Sequence, residues 1–215
     1  MKKAWILSVA LFGSLVMAPA HAALTMTIID DDGVVLGPFV ESSPNFISVS
    51  GTFGLFTLST HTTTSNVGTG DLAGLFTLNS NVSADGAGSI SVSVTQDAYT
   101  IPAAGLSKFT TGSNPVTLDG GATYSVQTFV DGVALGSGGT LASVTDDYFE
   151  SAEMAIGNPF SITHTYTITT TRRSENITFD YSTRAVPVPG VLGLLGLGLV
   201  GVAAAVRRRR DQTAA

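Results

Sequence analysis

The densest cluster of side chains able to do chemistry is Asp30–Gly33, which reads Asp-Asp-Asp-Gly. Carboxylate oxygens at a glycine turn are ligands that Ca²⁺ accepts, but the alternating acidic spacing and the distal glutamate of a helix-loop-helix calcium site are missing. A second cluster, formed by Asp146, Asp147, Glu150 and Glu153, lacks that spacing too. Adjacent acids of this kind are typical of solvated turns, so the sequence predicts no metal site and no cofactor.

Residues suited to nucleophilic or acid–base catalysis are few. The chain has no cysteine, which excludes thiol nucleophiles, thiolate zinc sites and disulfides. It also lacks Gly-x-Ser-x-Gly, a phosphate loop ending in Gly-Lys-Ser/Thr, and His-Glu-x-x-His. After residue 22 the histidines are His61 and His164, and the alternation around His164 predicts a half-buried, hydrogen-bonded side chain. The sequence thus predicts a protein that is not an enzyme, with a glycan-active hydrolase using paired carboxylates as an alternative.

The alternation of side chains predicts the elements that position these residues. Apolar and polar residues alternate in Ser89–Thr95, Tyr124–Val130, Ile162–Thr171 and Ile177–Ser182. Period two with one polar face is typical of antiparallel strands that pack on one side. The dipeptide Asp131-Gly132 lies between apolar strand patterns and predicts a tight hairpin turn. With eight to ten such strands, the chain is expected to form an all-β fold, an antiparallel β-sandwich or jelly roll.

Three further patterns bear on that scheme. We expect a short helix over Ser143–Ala155. The segment Gly54–Ser59 recurs as Gly74–Asn79, which we interpret as two neighbouring strands with similar surroundings, because a solenoid needs at least three copies. Threonine occupies every second position of Thr163–Thr171, as on ice-binding faces. A flat ice-binding array needs several aligned strands and the sequence shows one, so a solvent-facing strand is favoured and ice binding stays a remote alternative.

Composition restricts the class of protein further. Of the 215 residues, 12% are charged and 44% hydrophobic, and 24 are glycine. Helical bundles need charged solvent faces, so this balance favours strands joined by small-residue turns. The net charge is −6, and residues 23–184 hold 15 acidic and 4 basic side chains. An acidic surface repels phosphates, so we expect no nucleic-acid partner.

The N-terminus has the pattern of a secretory signal peptide. Two lysines precede the apolar run Ala4–Ala18, and small residues occupy the −3 and −1 positions, Ala20 and Ala22. The apolar run has roughly 15 residues, whereas a membrane-spanning helix needs about 20. We therefore assign residues 1–22 to a signal peptide that the Sec translocon and signal peptidase process, with Ala23 as the first mature residue.

The C-terminus carries three dissimilar segments in order. Residues 185–189 form a proline-containing linker, 190–206 are uncharged, and 207–215 begin with four arginines. Proline breaks regular structure, and about 17 apolar residues form a helix of about 26 Å, enough for one tilted membrane span. The arginines resist translocation and hold the tail in the cytoplasm. The residues of the expected sorting motif and basic stop are Pro187, Val188, Pro189, Gly190, Arg207, Arg208, Arg209 and Arg210.

This end resembles the PEP-CTERM sorting signal of exported proteins from Gram-negative bacteria. That signal joins a Pro-x-Pro motif, a Gly/Leu/Ala-rich span and an arginine cluster at the extreme C-terminus. Val188 stands where the family usually has glutamate, as in related sorting groups. The resemblance covers Val186–Arg210 and implies that an exosortase, a membrane-embedded transpeptidase-like protease, cuts near Pro187–Gly190.

The resemblance also implies a setting for the core, residues 23–184. Such proteins are held in the inner membrane before processing, then reach the cell surface or the extracellular matrix, where they accompany exopolysaccharide and biofilm formation. We therefore expect an exported, non-enzymatic surface protein. A glycan-binding module is a further alternative. Trp5, the single tryptophan, lies in the signal peptide, which weakens the case for the usual stacking platform, although tyrosines could serve in its place.

Overall fold

The computed structural model of this chain describes residues 23–41, 45–67 and 69–186. Ala23 is the first of them. The other expectations at the two ends lie outside the described residues, namely the leader 1–22 with Ala20 and Ala22, the motif Pro187–Gly190, the apolar segment 190–206 and the basic stop Arg207–Arg210. Among the described residues, no helix has the length and hydropathy that a membrane crossing requires.

Thirteen strands lie in the described part of the chain. They are β1 (Leu24–Ile29), β2 (Val35–Val40), β3 (Phe46–Phe53), β4 (Phe56–Ser65), β5 (Gly74–Ala84), β6 (Gly88–Tyr99), β7 (Gly105–Leu118), β8 (Thr123–Val130), β9 (Val133–Ala134), β10 (Gly139–Leu141), β11 (Tyr148–Ile156), β12 (Phe160–Thr170) and β13 (Glu175–Val186). The sequence predicts eight to ten because β9 and β10, with two and three residues, are too short to show alternation, and because most of the segment expected as a helix is β11. The last strand continues past Arg184, where the sequence places the end of the core, and buries Ala185.

These strands divide into two antiparallel sheets. Sheet I has the order β10-β8-β12-β6-β1-β2, with β9 beside β8, and sheet II has the order β11-β7-β13-β5-β4-β3. Side chains that alternate inward from both sheets form one buried core. The prediction of an all-β fold of antiparallel sheets is confirmed.

The alternating segments place their apolar side in this core. Ile90, Val92 and Val94 of β6 are each at most 1% exposed. Rings from the two sheets meet between them, with the centroids of Phe179 in β13 and Tyr124 in β8 only 4.3 Å apart. Burying a large apolar side chain contributes about 1.5–3 kcal/mol, so this layer joins the sheets. Their outer faces are left to solvent.

The hairpin expected at Asp131-Gly132 is confirmed. It joins β8 to β9, and both turn residues have positive φ, 50° at Asp131 and 74° at Gly132. A two-residue turn of this kind matches the right-handed twist of the strands it connects. The Asp131 carboxylate also accepts hydrogen bonds from the backbone N–H groups of Gly157 and Ser161, at 3.0 and 2.9 Å. The turn is thereby tied to the start of β12.

The helix expected over Ser143–Ala155 is wrong. Most of this segment belongs to β11, which pairs antiparallel with β7 from Tyr148 to Ile156. Its side chains alternate, with Met154 and Ile156 buried and Glu153 exposed. The pairing along β7 supplies the backbone hydrogen bonds that a short isolated helix would have to make alone, and tertiary pairing therefore overrides a weak local preference.

The repeated segments lie on neighbouring strands, as expected, but their surroundings differ. Strands β4 and β5 pair antiparallel. Phe56 and Leu58 of the first copy are 0% and 1% exposed, whereas Leu78 of the second is 42% exposed and Phe76 is half-buried. The two copies enter their strands one residue out of phase, because Leu75 is already inside the core while Leu55 lies in a turn. A shift of one residue moves every side chain to the other face of a sheet.

Candidate functional site

A groove with a cavity volume of about 420 Å³ lies on the outer face of sheet II. Its floor comes from the two strands β7 and β13, and its sides come from β5 and β11, which flank them. The side chains that line the groove on this outer face are Phe76, Leu78, Asn114, Asp147, Phe149, Asp180, Ser182 and Arg184, with Gly112 in the floor.

One row of residues across the sheet shapes this groove. Phe149 in β11 pairs with Gly112 in β7, Gly112 pairs with Ser182 in β13, and Ser182 pairs with Phe76 in β5. Residues paired in this way point to the same face of a sheet. The row therefore places an aromatic side chain on each side of two small residues. This order of large, small, small and large residues makes the depression.

Gly112 keeps the floor low. Its φ is not in the left-handed region, so glycine is not needed there for backbone conformation. A Cβ atom at this position would lie 3.3 Å from the carbonyl oxygen of Tyr148 and 3.7 Å from the Cδ2 of Phe149. Any larger side chain at residue 112 would fill the space beside the Phe149 ring.

Phe149 is the most exposed large hydrophobic residue among those described, at 73%. Leaving a phenylalanine in water forgoes about 1.5–3 kcal/mol of burial free energy. On the other side of the groove, the Phe76 ring is half-buried and Leu78 extends the same apolar wall. The two walls thus offer apolar surface to a ligand rather than to the core.

Polar groups complete the lining. The Arg184 guanidinium lies over the Phe76 ring, 4.8 Å from its centroid, in a cation–π contact. Asp180 and Asn114 are paired on adjacent floor strands, two residues along from Ser182 and Gly112. Asp147 precedes β11 on the opposite side. The groove therefore presents one cation at one end, carboxylates and an amide at the other, and a hydroxyl between them.

The β11 wall is fixed from its inner side. The Tyr148 hydroxyl donates a 2.5 Å hydrogen bond to the Glu150 carboxylate, which also accepts bonds from the Ser137 backbone N–H at 3.1 and 3.2 Å. Partial burial, together with this carboxylate, raises the pKa of Tyr148, so the phenol keeps its proton. Charge-assisted bonds are about twice as strong as neutral ones, and these hold the strand that carries Phe149.

Sequence reasoning missed this site. Four of the five tyrosines, Tyr99, Tyr124, Tyr166 and Tyr181, are at most 2% exposed, and the fifth, Tyr148, points inward. None of the five tyrosines is exposed as a stacking platform in the described residues. One signal was available: Phe149 shares one side of β11 with Ser151, Glu153 and Ala155. The expectation of a helix there concealed it.

Both histidines of the core lie between the sheets, out of reach of any substrate. The Nδ1 atom of His61 lies 2.6 Å from the Ser80 hydroxyl and 2.8 Å from the Tyr166 hydroxyl. His164 is fully buried rather than half-buried; its Nε2 atom lies 2.8 Å from the Thr183 hydroxyl, and its ring stacks on Tyr181. Burial lowers the pKa of both to about 3, so both are neutral at physiological pH.

The acidic clusters are parts of turns. The Asp30 carboxylate accepts bonds from the backbone N–H groups of Asp32 and Val34, and Asp31 accepts one from Leu55. The Asp146 carboxylate caps the loop before β11 by accepting bonds from residues 142 and 143. Within 23–41, 45–67 and 69–186, no group of three or more acidic or histidine side chains is arranged to hold a metal ion.

The threonine ladder of β12 has aligned neighbours that the sequence did not reveal. Hydroxyls of Thr163, Thr165 and Thr167 lie 2.9, 3.3 and 2.7 Å from hydroxyls of β6. The resulting hydroxyl face on the outside of sheet I comprises Thr25, Thr27, Ser89, Ser91, Ser93, Thr95, Thr123, Ser125, Thr163, Thr165, Thr167 and Thr169. Three pairs of these hydroxyls, all between β6 and β12, bond to each other across the strands.

No family model and no curated protein sequence matches this chain. Among solved structures, the chain is similar to the CBM22-1 xylan-binding domain of Paenibacillus barcinonensis Xyn10C, with 9% identity, a TM-score of 0.32, and coverage of 69% of this chain and 90% of that one. The chain is also similar to a family 35 carbohydrate-binding module from Clostridium thermocellum, with 10% identity and a TM-score of 0.30. This match covers 74% of this chain and 97% of that one.

A third similar structure is the enzymatically active domain of bacteriophage CBA120 tailspike protein 4, with 11% identity and a TM-score of 0.32. The match covers 66% of this chain but 19% of that one, so the chain spans about a fifth of its length. Similarities at these identities and TM-scores carry no argument about function, which has to come from the groove itself.

Proposed function

We propose that the β-sheet core of this chain binds carbohydrate in the groove of sheet II. The observation that carries the proposal is the row Phe149, Gly112, Ser182 and Phe76, in which an exposed and a half-buried aromatic side chain flank a low floor. Sugar rings have apolar C–H faces and polar rims. They pack their faces against aromatic rings, which combine large apolar area with defined orientation.

The polar lining supports the same ligand class. Asn114 offers both a donor and an acceptor, Asp180 offers acceptors, and Arg184 offers several N–H donors in a fixed plane. Sugar hydroxyls donate and accept, so they can form hydrogen bonds with side chains of all three kinds. A purely apolar ligand would cover these polar groups without offering them hydrogen bonds, which costs about 1–3 kcal/mol for each group so desolvated.

The proposal is binding without catalysis. Both histidines of the described core are sealed between the sheets, and the groove's acids are Asp147 and Asp180. Hydrolysis of a glycosidic bond needs two carboxyl groups on opposite sides of the bond, one of them kept protonated near neutral pH.

The two ends of the sequence set the place where binding would occur. The signal-peptide pattern of residues 1–22 supports export, and the Pro187-Val188-Pro189 motif with its apolar segment and arginines supports sorting by an exosortase. We therefore propose a surface or extracellular-matrix protein of a Gram-negative bacterium whose core contacts exopolysaccharide.

Affinity electrophoresis of the full-length protein in detergent tests the proposal, with soluble polysaccharides cast into the gel. We expect F149A and F76A each to weaken retardation by about tenfold or more, as truncation of a central aromatic contact does. F129A is the matched control, because Phe129 is a half-buried phenylalanine on the outer face of sheet I. Equal retardation of F149A, F76A and the parent would rule out the groove.

A second candidate function rests on the hydroxyl face. Aligned hydroxyls on β6, β8 and β12 meet the requirement for several strands that the sequence alone left unmet. The second candidate function is therefore adsorption of this hydroxyl face to ice. Replacing Thr165, at the centre of this face, by arginine would break the flat array; inhibition of ice recrystallisation by the parent and its loss in T165R would support this function, and absence of inhibition by the parent would dismiss it.

A further inference from the structure

The groove has a direction that bears on the shape of its ligand. Its floor follows β13 from Asp180 to Arg184, and β7 alongside. At about 3.4 Å per residue, that stretch is about 14 Å long. The flanking strands β5 and β11 are three strand spacings apart, which gives about 14 Å between their backbones, less the bulk of the Phe76 and Phe149 rings. The open space is therefore longer along the strands than across them.

Both ends of the groove are open in the described part of the chain. Beyond Arg184, the floor strand β7 continues with Lys108, which pairs with Val186. Beyond Asp180, β13 continues with the half-buried Thr178, and Thr117 pairs with it. Among the described residues, both floor strands thus continue past the two ends of the groove, with a register irregularity between Thr178 and Phe179.

The charges of the groove favour an uncharged ligand. Arg184 is the one cation among its lining residues, and its guanidinium already lies over Phe76. Asp147 and Asp180 are at the other end. Lys108, a further cation of β7, lies beyond this lining and opposite Glu153 of β11 in the strand register. A polymer with a carboxylate on each repeat unit would have to place at least one of its carboxylates near Asp147 and Asp180, where like charges repel.

The rest of the core adds to this repulsion. Residues 23–184 carry 15 acidic and 4 basic side chains. Salt screens charges over about 8 Å at physiological ionic strength, so distant acids contribute little, but a ligand inside the groove lies well within that distance of Asp147 and Asp180. The summed field of the molecule also slows the approach of a polyanion.

We infer that the groove binds an internal stretch of an uncharged, extended polysaccharide that lies parallel to β7 and β13. This inference rests on the proposed function and names the ligand class of the same site. Rings of the polymer contact Phe149 and Phe76, and their hydroxyls face Ser182, Asn114 and Arg184. The polysaccharide extends beyond the groove at both ends, so its reducing and non-reducing termini do not contact the protein.

Matched polymers separate ligand charge from ligand backbone. The full-length protein in detergent is run in gels that contain neutral glucans, galactans, mannans or xylans, and in gels that contain the carboxymethyl derivative of each. We expect at least one neutral polymer to retard the protein, and its carboxymethyl derivative to retard it about tenfold less. Raising the salt concentration is expected to change the affinity for the neutral polymer by less than about twofold.

A charge variant tests the reason for this preference. D147N removes one carboxylate from the groove and should raise the ratio of acidic to neutral affinity about fivefold. D97N is the control, because Asp97 is an exposed acid at the end of β6 in sheet I; it should leave the ratio unchanged. Reduction of the polymer's reducing end to an alditol should also leave the affinity unchanged.

Each result bears on a separate claim. Stronger retardation by the carboxymethyl polymers, or loss of binding after end reduction, would overturn the inference while the proposed function stands. Retardation by no polymer of either kind, or retardation that F149A leaves unchanged, would overturn the proposed function itself.

Discussion

At the scale of single residues, Gly112 decides whether the groove can hold a ring. It lies in the floor between Phe149 and Ser182. We expect G112V to weaken glycan binding about tenfold or more, because the isopropyl group would occupy the ligand's space. A β-branched residue suits a strand, and an adjustment of a few tenths of an ångström relieves the 3.3 Å approach to the Tyr148 carbonyl.

Binding and stability of G112V are measured together. Calorimetric titration gives the affinity, and urea unfolding gives the free energy of unfolding, which should fall by no more than about 1 kcal/mol. G112A is the graded companion and should lie between the parent and G112V. Full binding by G112V would mean that the ligand does not reach this floor.

The buried histidines make a prediction about acid stability. Their native pKa values of about 3 lie below the ordinary value of 6.5, so between these pH values the unfolded chain binds more protons than the native one. Their contribution is fully present above pH 6.5 and is lost as the pH falls through this window. At pH 4 the loss is about 3 kcal/mol for each histidine.

The variant H164F removes one of the two histidines that cause this loss of stability in acid. The Nδ1 atom of His164 has no hydrogen-bond partner, and Thr183 keeps its bonds to Thr111 and Thr128 when the imidazole is removed. Urea unfolding at several pH values between 7 and 4 should show a shallower decline for H164F than for the parent. Identical declines would show that His164 does not titrate on unfolding.

At the scale of elements, β11 carries the exposed wall of the groove. Its N-terminal end is held by the Glu150 carboxylate, which bonds to Tyr148 and to the Ser137 backbone. We expect E150A to lower the free energy of unfolding by about 1–3 kcal/mol, and to weaken glycan binding because Phe149 loses its fixed position. Amide hydrogen exchange at residues 137 and 148–150 should accelerate.

The neighbouring acid supplies the comparison. Glu153 is an exposed residue of the same strand, and E153A should leave stability, exchange and binding near those of the parent. An E150A protein that binds as the parent does would show that the hydrogen bonds of Glu150 are not needed to position the wall.

The elements predicted from sequence are those whose alternation is complete. In β6, β8, β12 and β13 the apolar positions recur every second residue, and the predicted faces are confirmed. Strand β11 could not be identified in this way, because neither of its two faces is uniformly apolar or polar. Its pairing partner β7 also begins more than 40 residues earlier in the sequence. Register between distant strands is a tertiary property, so the row that builds the groove is invisible in the sequence.

The hydroxyl face illustrates the same limit. The threonines of β12 are evident from their spacing, but their neighbours Ser91, Ser93 and Thr95 belong to a strand about 70 residues away. Only the pairing of β6 with β12 turns two local patterns into one surface.

At the scale of the whole molecule, a prediction concerns the route by which the core reaches its ligand. Moving an arginine to the bilayer centre costs roughly 2.5–3.5 kcal/mol on insertion scales, so the four arginines of 207–210 are expected to stay in the cytoplasm. Replacing all four by neutral residues should let the tail slip through the membrane or leave the chain unprocessed. Immunoblotting of cell fractions with antibodies to the core measures both outcomes.

The prolines of the motif provide the complementary variant. Replacing Pro187 and Pro189 by alanine should leave membrane insertion intact but block cleavage, because the extended break before the apolar segment is lost. If this double variant yields the same shortened surface form as the parent, the motif is not read as a sorting signal. A permanent single-span anchor or another protease would then account for the tail.

The location of a bound glycan tests the central claim most directly. An oligosaccharide cut from the polymer that retards the protein is titrated into isotope-labelled protein, and amide chemical shifts are followed by NMR. The account predicts that the largest shifts fall on Gly112, Phe149, Ser182 and Arg184, with none on the hydroxyl face around Thr165. Shifts centred on the hydroxyl face or on the turns at the sheet edges, with the groove unaffected, would contradict it.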